Sequence, residues 1–112
     1  MRRTAAAVAA ATVLAVANTS PADAHGSTRL RRVAHCESGH RWHISTGNGH
    51  YGGLQFTLSS WRWVGGRGYP HHATRREQLR RGRLLRDRQG GHNAWPWCWA
   101  NAWQYSGAAT AT

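Results

Sequence analysis

The chain has 112 residues, and its 15 basic residues, all arginine, outweigh four acids for a net charge of +11. A chain so short builds a single small domain. The charge favours polyanionic partners over basic ones.

The N-terminus reads as an export signal. Met1, Arg2 and Arg3 are followed by a weakly apolar run over residues 5–17, and Pro21-Ala22-Asp23-Ala24 places small residues at an A-x-A cleavage site. Residues 1–24 are therefore expected to be a signal peptide. The run is too short for a membrane anchor. His25–Thr112 is then the mature chain, with its domain over residues 25–98 and residues 99–112 expected to be a short disordered tail. Outside the cell the polyanions are wall polymers and anionic lipid heads. An exported chain with two cysteines, Cys36 and Cys98, is expected to join them in a disulfide, a catalytic thiol being the alternative.

The first mature helix is expected to start at Ser27 or Thr28 as N-cap, to bury Leu30, Val33 and Ala34 on one stripe, and to end near Ser38 with Gly39 as C′ residue. Glu37 falls in its last turn. Residues 45–53, STGNGHYGG, are too rich in glycine for a helix and predict a β-turn or small hairpin. Thr57 can cap a short second helix anchored by Trp61 and ended by Gly65-Gly66. Thr74-Arg75-Arg76-Glu77 is a capping box, opening a helix to about Gln89 that Gly82 should weaken by about 1 kcal/mol. Residues 94–98, AWPWC, return Cys98 towards Cys36.

Of the three acids after residue 24, Glu77 is explained by the capping box, and Asp87 lies between Arg86 and Arg88 on a solvated face. Glu37 has no such role. A carboxylate in the last turn of a helix faces the negative end of the macrodipole, and burial against aromatics would raise its pKa further, as a general acid requires. The alternative is an exposed or arginine-paired glutamate. Ordinary glycosidases need two carboxylates. A single one suffices where the substrate supplies its own nucleophile, as the 6-hydroxyl of N-acetylmuramic acid can in lytic transglycosylation. The eight histidines include the adjacent pair His71-His72, but no pair has convincing helical ligand spacing, and no metal or other cofactor is expected.

The segment CESGHRWHISTGNGHYGGLQFTLSSWRWVGG, followed by TRREQ and QGGHNAWPWC, resembles the catalytic domain of the resuscitation-promoting factors, secreted muralytic proteins of high-G+C Gram-positive bacteria. The resemblance covers about Leu30 to Cys98. It implies an α+β, lysozyme-like fold, mainly helical with a short β-turn or hairpin, a glycan cleft, and one disulfide joining Cys36 to Cys98. The catalytic glutamate of the family falls on Glu37, its cleft threonine on Thr46 and a cleft glutamine on Gln55. Trp42, Tyr51 and Trp61 match family aromatics, on whose faces sugar rings can stack, and Trp42, Tyr51 and Asn48 are expected to bind substrate with Thr46 and Gln55; Trp61 suits core packing better. The function implied is cleavage of the β-1,4 bond between N-acetylmuramic acid and N-acetylglucosamine. Wall remodelling and the revival of dormant cells would follow. The alternatives are a catalytically weak, cationic wall-binding module and a tryptophan-rich membrane-active protein. The partners expected are peptidoglycan glycan strands and other wall hydrolases, with no nucleic acid, no stable membrane insertion and a monomeric chain. Several residues depart from the family pattern. His40 stands where glycine is usual, Ser45 replaces asparagine, Trp63 replaces a small residue, and Arg81 and Arg86 occupy usually apolar positions.

Overall fold

The computed structural model describes residues 21–109, with side chains from 28 to 105. The first 20 residues of the expected signal peptide, and the last three of the expected tail, lie outside the described residues. Helix α1 spans Pro21–Ser38, a two-stranded hairpin pairs β1 (His50–Tyr51) with β2 (Phe56–Thr57), and α2 follows at Leu58–Trp63. A 3-10 turn at Pro70–His72 leads to α3 (Arg75–Gln89), then α4 (Gly91–Ala94), α5 (Pro96–Ala100) and a closing 3-10 segment, Ala102–Ala109. The architecture is mainly helical with one small antiparallel sheet, as the sequence predicts. Among the described residues no helix is long and apolar enough to cross a membrane.

Local chemistry sets most element ends. Gly39 adopts a φ of 66° and ends α1, and His40 follows in the same left-handed region at 64°. The family's usual glycine at that position would hold this conformation at lower cost. Thr57 caps α2 by accepting from the Ser60 N–H, and Thr74 caps α3 by accepting from the Glu77 N–H, both at 3.1 Å. Glu77 does not close the capping box; its carboxylate pairs with Arg80 and Arg81.

Two boundaries differ from expectation. Helix α1 begins at Pro21, ahead of the Ser27 or Thr28 cap. Residues 99–105 are not a frayed tail. Ala102 is buried, Trp99 stacks on Trp95, and Tyr105 meets His35 edge to face at 4.9 Å. The Arg29 guanidinium covers the Trp99 ring and donates to its carbonyl at 2.7 Å. Trp99 of α5, with Ala102 and Tyr105 of the closing 3-10 segment, docks on α1.

The core joins Leu30, Val33 and Ala34 of α1 to Leu54, Phe56, Trp61, Val64, Leu79, Leu85 and Trp95. Trp61 is 1% exposed and is a core residue. Gly82 lies where α3 meets this core, and a Cβ there would sit 2.7 Å from Leu54 Cδ1. Intrinsic propensity argues for alanine, but the close approach forbids it. Gly82→Ala is therefore expected to destabilise by about 1–3 kcal/mol, as overpacking does, measured by urea unfolding. Arg81 and Arg86 do not enter the core charged and alone. Arg81 donates to Glu77 at 2.7 Å and to the Val64 carbonyl at 2.7 Å, and Arg86 pairs with Asp87.

Gln78 is fully buried and ties three segments together. Its oxygen accepts from the Gly53 N–H at 2.9 Å, while its amide donates to the carbonyls of Trp42 at 2.8 Å and Ala73 at 2.9 Å. The Gly53 carbonyl in turn accepts from the Ser38 hydroxyl at 2.9 Å. The end of α1, the hairpin and the start of α3 are thus held at one glycine. Gln78→Leu would leave buried backbone groups unpaired and should cost about 3 kcal/mol in thermal or urea unfolding.

Candidate functional site

Glu37 projects from the last turn of α1 into a cleft of about 250 Å³. The hairpin supplies His50, Gln55, Phe56 and Thr57 to this cleft, and the C-terminal half of the chain supplies Leu85, Gln89, Trp95 and Pro96. The last turn of α1 is held on both sides. Ser38 bonds to Gly53, and the Cys36–Cys98 disulfide, with Cα atoms 5.7 Å apart, ties it to α5. The predicted disulfide is therefore present, and it sets α1 beside the Trp95–Pro96 wall.

The electrostatics of the cleft are unlike those of the surface. No arginine among the described residues lines it. Among the described side chains, the acids Glu77 and Asp87 are ion-paired, while no hydrogen bond or ion pair joins the Glu37 carboxyl group to another residue. Glu37 is half-buried, and desolvation raises its pKa above the ordinary 4.5. Its position at the negative end of α1 acts in the same direction. The cleft therefore favours a protonated carboxyl, able to donate, with no second carboxylate among the lining residues.

Beside Glu37 sits a polar cluster built on the glycine-rich loop. The Thr46 hydroxyl lies against Asn48 Oδ1 and within 3.2 Å of Gln55 Oε1. Asn48 Oδ1 accepts from the His50 N–H at 3.2 Å. Gln55 has a φ of 54°, rare for a residue with a side chain, and its amide donates to the Gly52 carbonyl at 2.9 Å. Gly52, at φ 80°, makes this turn possible; a Cβ there would meet Gln78 Oε1 at 2.5 Å. The hairpin thus delivers Gln55 to the same cleft as Glu37, with Thr46 and Asn48 linked behind it.

Two expected binding residues are placed elsewhere. Trp42 is 8% exposed, packs on Gly53, stacks with His40, and lines a different groove from Glu37. The absent side chain of Gly53 creates the slot that takes its indole. Tyr51 packs against His71 at 5.3 Å and Tyr69 at 5.4 Å, in an aromatic stack outside the lining of the Glu37 cleft. Sequence reasoning missed His50, Gln89 and Trp95. Trp95 is buried, donates from Nε1 to the Leu54 carbonyl at 2.8 Å, and faces Phe56 edge to face. The AWPWC motif was the available signal for it. Among the described residues, no group of three or more histidine, cysteine or acidic side chains is placed to hold a metal ion.

Residues 24–98 match the family model of the transglycosylase-like domain. The chain is 54% identical over 84 residues to a resuscitation-promoting factor of Micrococcus luteus, covering 75% of this chain and 37% of that protein. It is 50% identical over 66 residues to resuscitation-promoting factor RpfE of Mycobacterium tuberculosis, covering 59% of this chain and 38% of that protein. It is also 44% identical over 97 residues to resuscitation-promoting factor RpfC of that species, covering 84% of this chain and 68% of the relative. The chain thus spans well under half the length of the first two relatives.

Proposed function

The chain belongs to the transglycosylase-like domain family of the resuscitation-promoting factors, and from that premise we propose that it is a secreted enzyme cleaving the β-1,4 bond between N-acetylmuramic acid and N-acetylglucosamine in peptidoglycan. The observation that carries this reading is the unpaired, half-buried Glu37 in a cleft whose described lining holds no arginine and no second carboxylate. Glu37 starts protonated and gives its proton to the leaving O4 of N-acetylglucosamine as the C1–O4 bond breaks. The muramic 6-hydroxyl closes on C1, and its proton passes to the Glu37 carboxylate, restoring the acid. No water is consumed, and a 1,6-anhydro end is formed. One carboxyl is enough for both transfers because they occur in sequence.

Gln55, Thr46 and Asn48 offer amide and hydroxyl groups suited to the N-acetyl and hydroxyl groups of the sugars. Phe56 and Trp95 give the cleft its apolar wall. In this reading, the biological role is wall remodelling and the revival of dormant cells. Digestion of purified sacculi followed by mass spectrometry tests it. Muropeptides ending in anhydromuramic acid, lighter by one water than reducing ends, are the expected product. Reducing ends would instead show that water attacks, and walls left intact would leave only the binding of a non-catalytic module.

A further inference from the structure

Outside the Glu37 cleft, the 3-10 turn at Pro70–His72 is held to the hairpin by a stack of rings. Tyr51 of β1 lies on His71 at 5.3 Å with ring planes 21° apart, and meets Tyr69 at 5.4 Å. Tyr69 touches His71 and His72 edge to face, both at 5.8 Å, and the two imidazoles are 4.1 Å apart. His43, on the loop after α1, donates from Nδ1 to the His71 carbonyl at 2.9 Å. Three segments distant in sequence therefore converge on His71. The ends of the turn are tied independently: the Arg67 carbonyl accepts from the Trp61 indole at 3.1 Å, the Ala73 carbonyl accepts from Gln78 at 2.9 Å, and Pro70 is buried.

Every charge that acid can create here has the same sign. His43, His71 and His72 are the imidazoles of the cluster, phenols carry no charge at or below neutral pH, and Arg75 and Arg76 line one surface with His43. Among the described residues no acid comes within ion-pair distance of any of the three imidazoles. His71 is the most constrained of them. Its Nδ1 is shut off from water without a hydrogen-bond partner, and burial, then His72 and His43, lower its pKa from 6.5. A neutral ring fits between Tyr51 and His72. An imidazolium there would face two other imidazoles and carry an N–H with no acceptor. We propose that this ring stack is an acid-released latch: neutral, it holds the turn against Tyr51 and stiffens the hairpin, and protonation of His71 parts the rings and loosens the hairpin. Because the hairpin carries His50, Gln55 and Thr57 to the Glu37 cleft, that wall is firm at neutral pH and slack in acid. The latch does not depend on glycan cleavage, since its state is read from the hairpin itself.

The test is native-state amide exchange of the full chain by NMR, corrected for the intrinsic effect of pH on exchange. The reporter is Gly52, whose N–H donates to the Ile44 carbonyl at 2.8 Å beside Tyr51. Between about pH 7.5 and about pH 5 its protection should fall roughly two- to fivefold, the scale of an uncompensated like-charge contact near the surface. His71→Phe keeps a ring in the stack and cannot take a proton, so its Gly52 protection should stay constant over that range. His92→Gln removes an exposed imidazole on α4, and Glu37→Gln removes the titrating group of the cleft; both should respond as the parent does. Should His71→Phe fold poorly, the parent alone decides: the His71 ring resonance should titrate below 6.5, and Gly52 protection should fall over the same pH range. Protection that is constant in the parent, or that falls equally in His71→Phe, would overturn the latch. A fall abolished by Glu37→Gln would assign the effect to the cleft acid and overturn it as well, as would ring and amide transitions at different pH.

Discussion

Replacing Glu37 by glutamine should lower muropeptide release from purified walls by about 10²–10⁴-fold, the usual contribution of a positioned general acid, while leaving the fold intact. Glutamine keeps the shape and removes the proton that matters. The same substitution should change stability in a direction that separates this role from a structural one. Burial raises the Glu37 pKa above 4.5, so the folded chain binds this proton more tightly than the unfolded chain does. The stabilisation from that proton is fully present below 4.5 and is lost as pH rises through the folded value. Glu37→Gln carries no charge to desolvate. Its melting temperature should therefore equal or exceed that of the parent at pH 7, and the advantage should disappear on acidification to pH 4. Activity of the parent should fall along the alkaline limb as the acid ionises. A variant that releases muropeptides at the parental rate, or melts well below the parent at pH 7, would remove Glu37 from the mechanism.

The parts of this molecule that could be read from sequence are those set by a few neighbouring residues. The end of α1 at Ser38, the Thr57 and Thr74 caps and the end of α3 at Gln89 all depend on local hydrogen bonds or on glycine at positive φ. The Cys36–Cys98 pairing followed from there being only two cysteines. What escaped was fixed by groups distant along the chain. Trp42 looked like a stacking platform until Gly53 offered its ring a slot. Gln78 looked like one more polar residue in a charged helix, yet it bridges Gly53, Trp42 and Ala73. Gly82 looked like a weak point and is a point of contact with Leu54. The segment after Cys98 looked disordered because it ends in SGAATAT; its Trp99, Ala102 and Tyr105 acquire meaning only once α1 is beside them. The cleft shows the same division. Glu37 and Gln55 stand in motifs that declare themselves, whereas Gln89 and Trp95 belong to the cleft because the chain returns there.

That return rests on the disulfide, whose removal carries the second large effect. Cys36 and Cys98 are 62 residues apart, and in the chain-entropy model opening a loop of that length costs about 4 kcal/mol. For a domain of this size, the melting temperature should drop by roughly 20 °C. A Cys36→Ala, Cys98→Ala double variant, or the reduced and alkylated chain, should show this in a thermal scan. The catalytic consequence is separable. Cys36 precedes Glu37, while Cys98 follows the Trp95–Pro96 wall by two residues, so the bond fixes the acid against the opposite side of its own cleft. Core contacts through Trp95 and its bond to Leu54 keep the wall attached without the staple, but with more freedom. Well below the lowered melting temperature, where the chain remains folded, wall digestion should still be slower than that of the parent, because a general acid acts only when its proton reaches the leaving oxygen. A double variant that melts with the parent, or digests walls at the parental rate while folded, would show that packing alone aligns Glu37 with Trp95.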